Sequence, residues 1–439
     1  MSMRLTVLGC GYLGTTHAAC MAELGFEVLG FDIDAERIAR LSAGHLPFYE
    51  ERLPELLAKH VESGRLRFTT SYEEVAEFGD VHFLCLGTPQ RPGRYDADLS
   101  QVWSAVAGLA PLLRRSCVVV GKSTVPVGTA SQVATMLADN APAGADIDLV
   151  WNPEFLREGF AVEDTLHPDR LIVGIESERP VGVVREVYAS MIASGTPFLT
   201  MDFPTAELVK GAANSFLATK ISFINAMAEI CEASGADVTM LAEALSHDDR
   251  IGRKFLRSGL GFGGGCLPKD IRSFTARAEE LGVGESVAFL KEVDAVNLRR
   301  RTRAVDLTRE LLGGDADGRH VAVLGAAFKP DSDDVRDSPA LDVAASLFRE
   351  GAQVVVYDPE AMSNAKRLHP ELDFADTLGD AVTGADVVLL LTEWSEFRSI
   401  DPAALGALVR TRLVLDGRNV LDPAAWRSAG WEYRALGRP

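Results

Sequence analysis

Gly259-Leu260-Gly261-Phe262-Gly263-Gly264-Gly265-Cys266-Leu267-Pro268-Lys269-Asp270 is the segment of this chain with the most chemical potential. Five glycines in seven residues carry a large conformational entropy loss, tolerable where backbone must approach a ligand or adopt positive φ. Cys266 closes the run and precedes a helical stretch, and both a helix N-terminus and the nearby Lys269 favour the thiolate, the nucleophilic form of cysteine. Asp270, four residues on, shares a helix face with Cys266 and is placed to position a proton or a water. A structural thiol in a glycine-rich loop fits the same residues, and local sequence leaves both readings open. The other five cysteines serve as a control. Cys10 and Cys85 lie in or beside apolar strand segments, Cys117 just before one, and Cys20 and Cys231 on helices, the ordinary setting of a small core thiol.

A second constellation opens the chain. Gly9-Cys10-Gly11-Tyr12-Leu13-Gly14 is a GxGxxG turn directly after a strand and opening a helix. The first glycine makes the turn, the second admits a pyrophosphate to the backbone, and the third lets helix pack on strand. Asp32, at the end of the next strand, is positioned to accept hydrogen bonds from an adenosine ribose and would repel a 2′-phosphate, which points to NAD rather than NADP. Arg37, five residues on, sets a positive charge at the same edge. A glycine turn without a ligand is the simpler alternative, opposed by strand, helix and acid occurring together.

Further polar pairs stand at helical spacing. Asn152-Pro153-Glu154-Phe155-Leu156-Arg157-Glu158-Gly159 predicts a helix start with Asn152 as N-cap and Pro153 in the first position, so that Glu154 and Glu158 share a face. Acids favoured by the helix dipole explain that pair equally well. Lys210 and Asn214 are also four apart, separated by the small residues Gly211, Ala212 and Ala213, with an exposed helix face as the plain alternative. Thr124, in Ser123-Thr124-Val125-Pro126-Val127-Gly128-Thr129, follows a strand and belongs at the carboxyl edge of a sheet, near the expected nicotinamide.

The elements that position these residues alternate in type. Arg4–Gly9, Val28–Asp32, Val81–Leu86 and Val118–Gly121 read as buried parallel strands, with Gly14–Leu24 and Ser100–Leu113 as crossover helices. Asp148–Val150 and Leu171–Gly174 are further strands. From Thr205 strand-like runs cease, and Leu208, Ala212, Phe216, Ile221, Ile224, Met227 and Ile230 mark a long helix to about Ala233. After Gly313-Gly314-Asp315, which reads as a linker, the alternation restarts with His320–Gly325, Val354–Asp358, Asp386–Thr392 and Leu413–Asp416. This second sheet opens on Gly325-Ala326-Ala327-Phe328-Lys329-Pro330, which lacks the GxGxxG turn. Its Lys329, with Arg336, lies where phosphates are met in open α/β sheets, although each taken alone is an ordinary surface charge.

Composition narrows the function classes. The 439 residues are 47% hydrophobic and 24% charged, as in globular proteins, and 44 basic against 63 acidic residues give a net charge of −19. Such a chain repels nucleic acid and anionic membrane, so an anionic small molecule needs a local basic cluster. There is no CxxC, HxxxH or HExxH spacing for zinc, and no apolar run long enough to span a bilayer. The expectation is a soluble, cytoplasmic protein without disulfides.

Taken in order, GCGYLG, STVPVGT, NPEFLREG with PDRLIVG, ELVKGAANSFLATKISFINAMAEIC, GFGGGCLPKD and FKPDSDDVRDSPAL make the whole chain resemble the nucleotide-sugar 6-dehydrogenases of the UDP-glucose/GDP-mannose dehydrogenase family. The resemblance implies an α/β fold: two Rossmann-like doubly wound parallel-sheet domains joined by a central helical domain with a long helix. The implied division is an NAD-binding domain at 1–203, a helical dimerisation domain at 204–312 and a nucleotide-sugar-binding domain at 313–439. It also implies a four-electron oxidation of the C6 hydroxymethyl of UDP-glucose to a carboxylate with NAD and no metal, through a thiohemiacetal and a thioester on Cys266. By motif, Lys210 and Asn214 would stabilise the oxyanion, and Thr124, Glu154 and Asp270 would handle water and protons. NAD would meet Gly9, Gly11, Tyr12, Leu13, Gly14, Asp32, Arg37, Thr88, Thr124, Glu158, Lys269 and Arg336. The substrate would meet Glu154, Phe155, Leu156, Arg157, Glu158, Lys210, Asn214, Phe255, Leu256, Arg257, Ser258, Gly259, Gly263 and Lys329. Arg250 of a homodimer would reach the neighbouring subunit's substrate.

The loop Gln90–Asp96 matches the family pattern poorly, and Gly265 stands where a serine is common. Neither change removes a catalytic group. TDP-glucose, GDP-mannose and UDP-N-acetylmannosamine are the alternative substrates, and the methyl separating TDP from UDP is worth only about 1–3 kcal/mol. A two-electron hydroxyacid dehydrogenase would need neither Cys266 nor a second sheet. A non-catalytic nucleotide-binding scaffold would need none of Cys266, Lys210, Asn214 and Asp270.

Overall fold

A computed structural model describes residues 3–439. The chain folds into two compact units, Met1–Ala213 and Asn214–Pro439.

In the first unit the strands are β1 (Arg4–Leu8), β2 (Glu27–Phe31), β3 (Leu66–Thr69), β4 (Val81–Leu84), β5 (Cys117–Gly121), β6 (Ile147–Trp151), β7 (Leu171–Gly174) and β8 (Phe198–Met201). They form one sheet in the order β3-β2-β1-β4-β5-β6-β7-β8. The sequence direction reverses at β1, between β2 and β4, which is the switch point where open α/β sheets bind ligands at their carboxyl ends. Helix α1 (Tyr12–Glu23) crosses from β1 to β2. Alternate residues serve opposite faces: Leu5 and Val7 join one core layer with Val81 and Phe83, while Leu8 joins the other with Leu29 and Leu84. A parallel sheet covered on both faces needs such continuous apolar strands. β7 departs from the expected parallel pattern, meeting β6 antiparallel at Trp151 opposite Gly174.

The predicted helix start at Asn152 is not formed. Residues 152–160 carry no regular structure, and α2 begins only at Ala161 (Ala161–Leu166). Asn152 does not cap a helix. Its amide donates to the Ile172 carbonyl (2.7 Å) and its carbonyl oxygen accepts from Lys122 (2.9 Å) and Tyr188 (2.7 Å). These tertiary bonds outweigh the local N-cap preference, so Glu154 and Glu158 do not share a helix face.

Helix α3 (Phe203–Ser234) is 32 residues, roughly 48 Å long. The boundary between the units falls inside it, after Ala213. In the second unit, α4 (Leu267–Glu280) and α5 (Phe289–Leu311) precede a second sheet. Its strands are β9 (His320–Leu324), β10 (Gln353–Tyr357), β11 (Asp373–Phe374), β12 (Val387–Leu390), β13 (Leu413–Asp416) and β14 (Glu432–Ala435). All pairs are parallel in the order β11-β10-β9-β12-β13-β14. The helical segment thus lies in the same compact unit as the second sheet. Among the described residues, no helix is long and apolar enough to cross a membrane.

Candidate active site

The turn after β1 is built to receive a phosphate. Gly9 adopts φ +92° and donates to the Phe31 carbonyl at 2.8 Å. A Cβ on Gly14 would lie 1.8 Å from the Gly9 carbonyl oxygen, so only glycine lets α1 start this close to β1, whereas the space beside Gly11 is open. Asp32 is buried at the end of β2, accepting from the Cys10 and Asp34 amides (2.9 and 3.0 Å) and from Arg37 (2.8 Å). Arg37 also pairs with Asp34 at 3.5 Å. These residues fit a dinucleotide: a helix N-terminus and open glycine for the diphosphate, an acid for the ribose. Ile33, next to Asp32, is 81% exposed, an apolar surface beside that acid which the sequence reading passed over.

The second sheet has an acid at the equivalent strand end, Asp358, but it is used up internally. It accepts from the amides of Ala326, Ala327, Glu360 and Ala361 and from the Trp394 indole. No acceptor position is left for a ribose, in keeping with the missing GxGxxG.

At the carboxyl ends of β4 and β5, Ser123 bridges the Leu86 amide and carbonyl (2.9 and 2.7 Å). Thr88 donates to the Thr124 carbonyl at 2.8 Å. Thr124 is therefore fixed at the sheet edge where the sequence put it. From the irregular segment, Glu154 pairs with the buried Lys210 of α3 at 3.2 Å and accepts from the Leu156 amide at 2.8 Å. Two cations lie over the Phe155 ring, Arg170 at 3.9 Å and Lys210 at 5.3 Å from its centroid. Arg157 makes a two-pronged pair with Asp164. Glu154 and Lys210, far apart in sequence, are thus in direct contact, a pairing that their spacing does not signal.

In the second unit Cys266 is the N-cap of α4 and alone among the six cysteines is exposed. Burial pushes Cys20, Cys85 and Cys117 up to about 12 and raises Cys10 and Cys231 as well. Those five are held as inert thiols, as the sequence comparison among cysteines anticipated. Within one turn of Cys266, Asp270 accepts from Asn214 at 2.6 Å and pairs with Lys269 at 2.6 Å. Asn214, Asp270 and Lys269 thus form one hydrogen-bonded chain beside the thiol. The glycines before it thread a crowded passage: a Cβ on Gly263 would meet the Asp337 carbonyl at 2.2 Å, and one on Gly261 the Asn297 amide at 2.3 Å. Asn297 closes this loop by bonding both the amide and the carbonyl of Phe262.

Next to that loop lies a cleft of about 450 Å³. Arg253, Lys254, Arg257 and Arg418 line it against the single acid Glu393, with Phe255 offering an aromatic face. Four cations in one cleft are the local basic cluster that an anionic ligand needs in this acidic chain. Of the expected substrate contacts, Phe255, Arg257, Ser258 and Gly259 line the cleft, while Leu256 turns its side chain into a core with Ile224 and Val238. Arg253, Lys254, Glu393 and Arg418 were missed. The basic run 250–257 was the available signal for the first two, and a strand-end Asp416-Gly417-Arg418 for the last. Lys329 lies 5.6 Å from the Phe328 ring. Arg336 pairs with Asp334 at 2.6 Å, and Arg250, 89% exposed, pairs with Asp248 at 2.6 Å.

Family models match three stretches. The NAD binding domain of the UDP-glucose/GDP-mannose dehydrogenase family matches residues 3–192, the central domain 204–299 and the UDP binding domain 322–423. The chain is 40% identical over 439 residues to a UDP-glucose 6-dehydrogenase of Rhizobium meliloti, covering 100% of both. Among solved structures, a UDP-glucose dehydrogenase from Pyrobaculum islandicum aligns with TM-score 0.91 and 38% identity over 100% of this chain and 98% of that one. A UDP-D-ManNAc dehydrogenase from Pyrococcus horikoshii aligns with TM-score 0.86 and 28% identity, covering 99% of each.

Proposed function

The chain belongs to the UDP-glucose/GDP-mannose dehydrogenase family and is an NAD-dependent oxidoreductase, and on that premise we propose that it oxidises the C6 hydroxymethyl of UDP-glucose to the carboxylate of UDP-glucuronate. The observation that carries this reading is Cys266: an exposed thiol at the head of α4, with Asn214, Asp270 and Lys269 chained beside it. An aldehyde cannot release hydride until a nucleophile adds to it, which gives a four-electron dehydrogenase a use for a thiol.

Bound NAD supplies a hydride acceptor, one two-electron oxidation per molecule, so each sugar consumes two. Gly9, Gly11, Tyr12, Leu13, Gly14, Asp32, Arg37, Thr88, Thr124 and Glu158 would hold it, together with Lys269 and Arg336. At the aldehyde stage the Cys266 sulfur bonds to C6, and the former carbonyl oxygen becomes an oxyanion that Lys210 and Asn214 stabilise. Loss of hydride from this thiohemiacetal leaves a thioester. Water, positioned by Asp270, Thr124 and Glu154, adds to the acyl carbon. The C–S bond then breaks, returning the thiol and releasing the carboxylate. Phe155–Glu158 and Gly263 contact the sugar, while Phe255, Leu256, Arg257, Ser258, Gly259 and Lys329 hold the nucleotide and its phosphates.

We divide the chain into NAD-binding, dimerisation and nucleotide-sugar parts at 1–203, 204–312 and 313–439; the matched NAD binding, central and UDP binding domain models support this order of parts. We read the chain as a cytoplasmic homodimer; the dimer built on α3 is supported by Phe216, Phe223 and Ile230, which recur every seven residues and are 67%, 49% and 58% exposed. Arg250 then extends to the neighbouring subunit's substrate phosphate. The substrate reading is tested by initial rates with UDP-glucose, TDP-glucose, GDP-mannose and UDP-N-acetylmannosamine in parallel. UDP-glucose is expected to give the highest kcat/KM, and a clear preference for another sugar would reassign the substrate while leaving the chemistry in place.

A further inference from the structure

Glu50 is a carboxylate only 2% exposed, in the stretch before Leu53, and sequence gives no hint of a role for it. Both of its oxygens act as acceptors. Oε1 takes the Ala161 amide at 2.7 Å, and Oε2 takes the Gly159 amide at 2.7 Å and the hydroxyl of Tyr12. The Tyr12 oxygen in turn accepts from the Gly159 amide at 3.1 Å. Tyr12 is the first residue of α1, inside the GxGxxG turn, and its ring packs on Phe48 with centroids 5.0 Å apart. Burial and the neighbouring Glu50 push the Tyr12 hydroxyl above its ordinary range, so it stays a donor. Glu158 is close enough for its charge to act on the same hydroxyl.

This cluster ends a segment that nothing else regular supports. Residues 152–160 have neither helix nor strand bonding, yet they carry Glu154 and Glu158. Asn152 pins one end through Lys122, Tyr188 and the Ile172 carbonyl. Glu50 pins the other directly, and the same carboxylate also takes the hydroxyl of the residue that opens the cofactor helix. We propose that Glu50 is a positioning residue for the oxidation: by holding Ala161 with one oxygen and Gly159 together with Tyr12 with the other, it fixes Glu158 against the cofactor turn. The proposal rests on the NAD reading of that turn and adds to it a link between cofactor affinity and the 152–160 segment. Tyr12 transmits the link, and Glu50 itself touches no reacting atom.

The test uses the full chain, with Glu50→Gln and Glu50→Asp, and measures NADH binding by fluorescence and UDP binding by calorimetry. The amide of Glu50→Gln keeps size but cannot accept from all three donors. NADH binding is expected to weaken about tenfold or more, the usual consequence of losing a hydrogen bond to a charged group. UDP binding should stay within about twofold, because the basic cleft at Arg253–Arg257 and Arg418 belongs to the other compact unit. A role limited to general stability would lower the melting temperature without separating these two affinities. Wild-type NADH affinity in folded Glu50→Gln would overturn the proposal. If that variant does not fold, Glu50→Asp, which keeps the charge but draws it back from the Gly159 and Ala161 amides, decides: weaker NADH binding with UDP binding held supports the link, and unchanged NADH binding refutes it. Neither titration needs turnover, so failure to oxidise UDP-glucose would strike the substrate reading alone. A wild type that binds no NADH would defeat the cofactor reading and this proposal together.

Discussion

Replacing Lys122 by methionine removes a buried charge whose cost can be worked from its surroundings. Lys122 is 7% exposed at the carboxyl end of β5. Its ammonium has only neutral hydrogen-bond partners, the Asn152 carbonyl oxygen at 2.9 Å and the Tyr188 hydroxyl at 3.3 Å, with the Tyr188 ring at 5.7 Å. The nearby Cys85 is itself pushed up to about 12 and stays a thiol at neutral pH. Burial lowers Lys122 from 10.5 to about 8, partly offset by the charge of Glu154. Each pH unit of that fall is worth about 1.4 kcal/mol, so keeping the charged form folded costs ~3 kcal/mol. The cost is fully present below about 8 and gone above 10.5, because between those values the unfolded chain binds more protons than the folded one. Lys122 therefore makes stability rise with pH through that window. Urea titrations of wild type and Lys122→Met between pH 7 and pH 10 isolate this contribution, since all other groups cancel in the difference. The wild type should gain on the variant by ~2–3 kcal/mol as the pH rises across the window. Parallel stability curves would refute the reasoning, meaning that Lys122 does not titrate there.

The two glycines of the cofactor turn should separate stability from binding. Gly14→Ala forces a Cβ against the Gly9 carbonyl and should destabilise by about 1–3 kcal/mol and weaken NADH binding as well. Gly11→Ala meets open space and should melt like wild type while losing NADH affinity, with thermal melts and fluorescence titrations as the readouts. Asp32→Ala removes the acid expected at the adenosine ribose and should raise the KM for NAD about tenfold while narrowing the preference over NADP, measured by steady-state rates with each cofactor. Phe216→Asp combined with Phe223→Asp puts charge on the exposed stripe of α3 and should convert dimer to monomer in sedimentation; an unchanged mass would remove α3 from the interface.

Legibility from sequence followed burial. β1, β2, β4 and β5 run as continuous apolar stretches because the sheet is covered on both faces, and their pattern is visible without the fold. The edge strands β3 and β14, with sequences LRFT and EYRA, alternate exposed polar residues and carry no such run. The long helix was legible because its apolar residues keep a helical period over many turns, to within two residues of its observed ends. The antiparallel turn at β7 depends on one cross-strand pair and leaves no local trace.

Among site residues the same distinction holds. Cys266 announced itself through its glycines, although the reason for each glycine, such as the Asp337 carbonyl behind Gly263, is a contact distant in sequence. Asn152-Pro153 reads as a cap followed by a first helical residue, and only the buried Lys122 and Tyr188 reveal why the chain does otherwise. Glu50 looks like one more acid in an acidic stretch until its three donors arrive from two distant segments. Arg418 likewise enters the cleft from a strand end far from the basic run it joins.

The central claim, covalent four-electron oxidation at Cys266, is tested most directly by counting NADH formed per limiting UDP-glucose for wild type and for Cys266→Ser. Two NADH per sugar from the wild type, with turnover collapsing in the variant, is the predicted result. One NADH per sugar, or a variant as active as the wild type, would contradict the thioester and leave Cys266 a structural thiol.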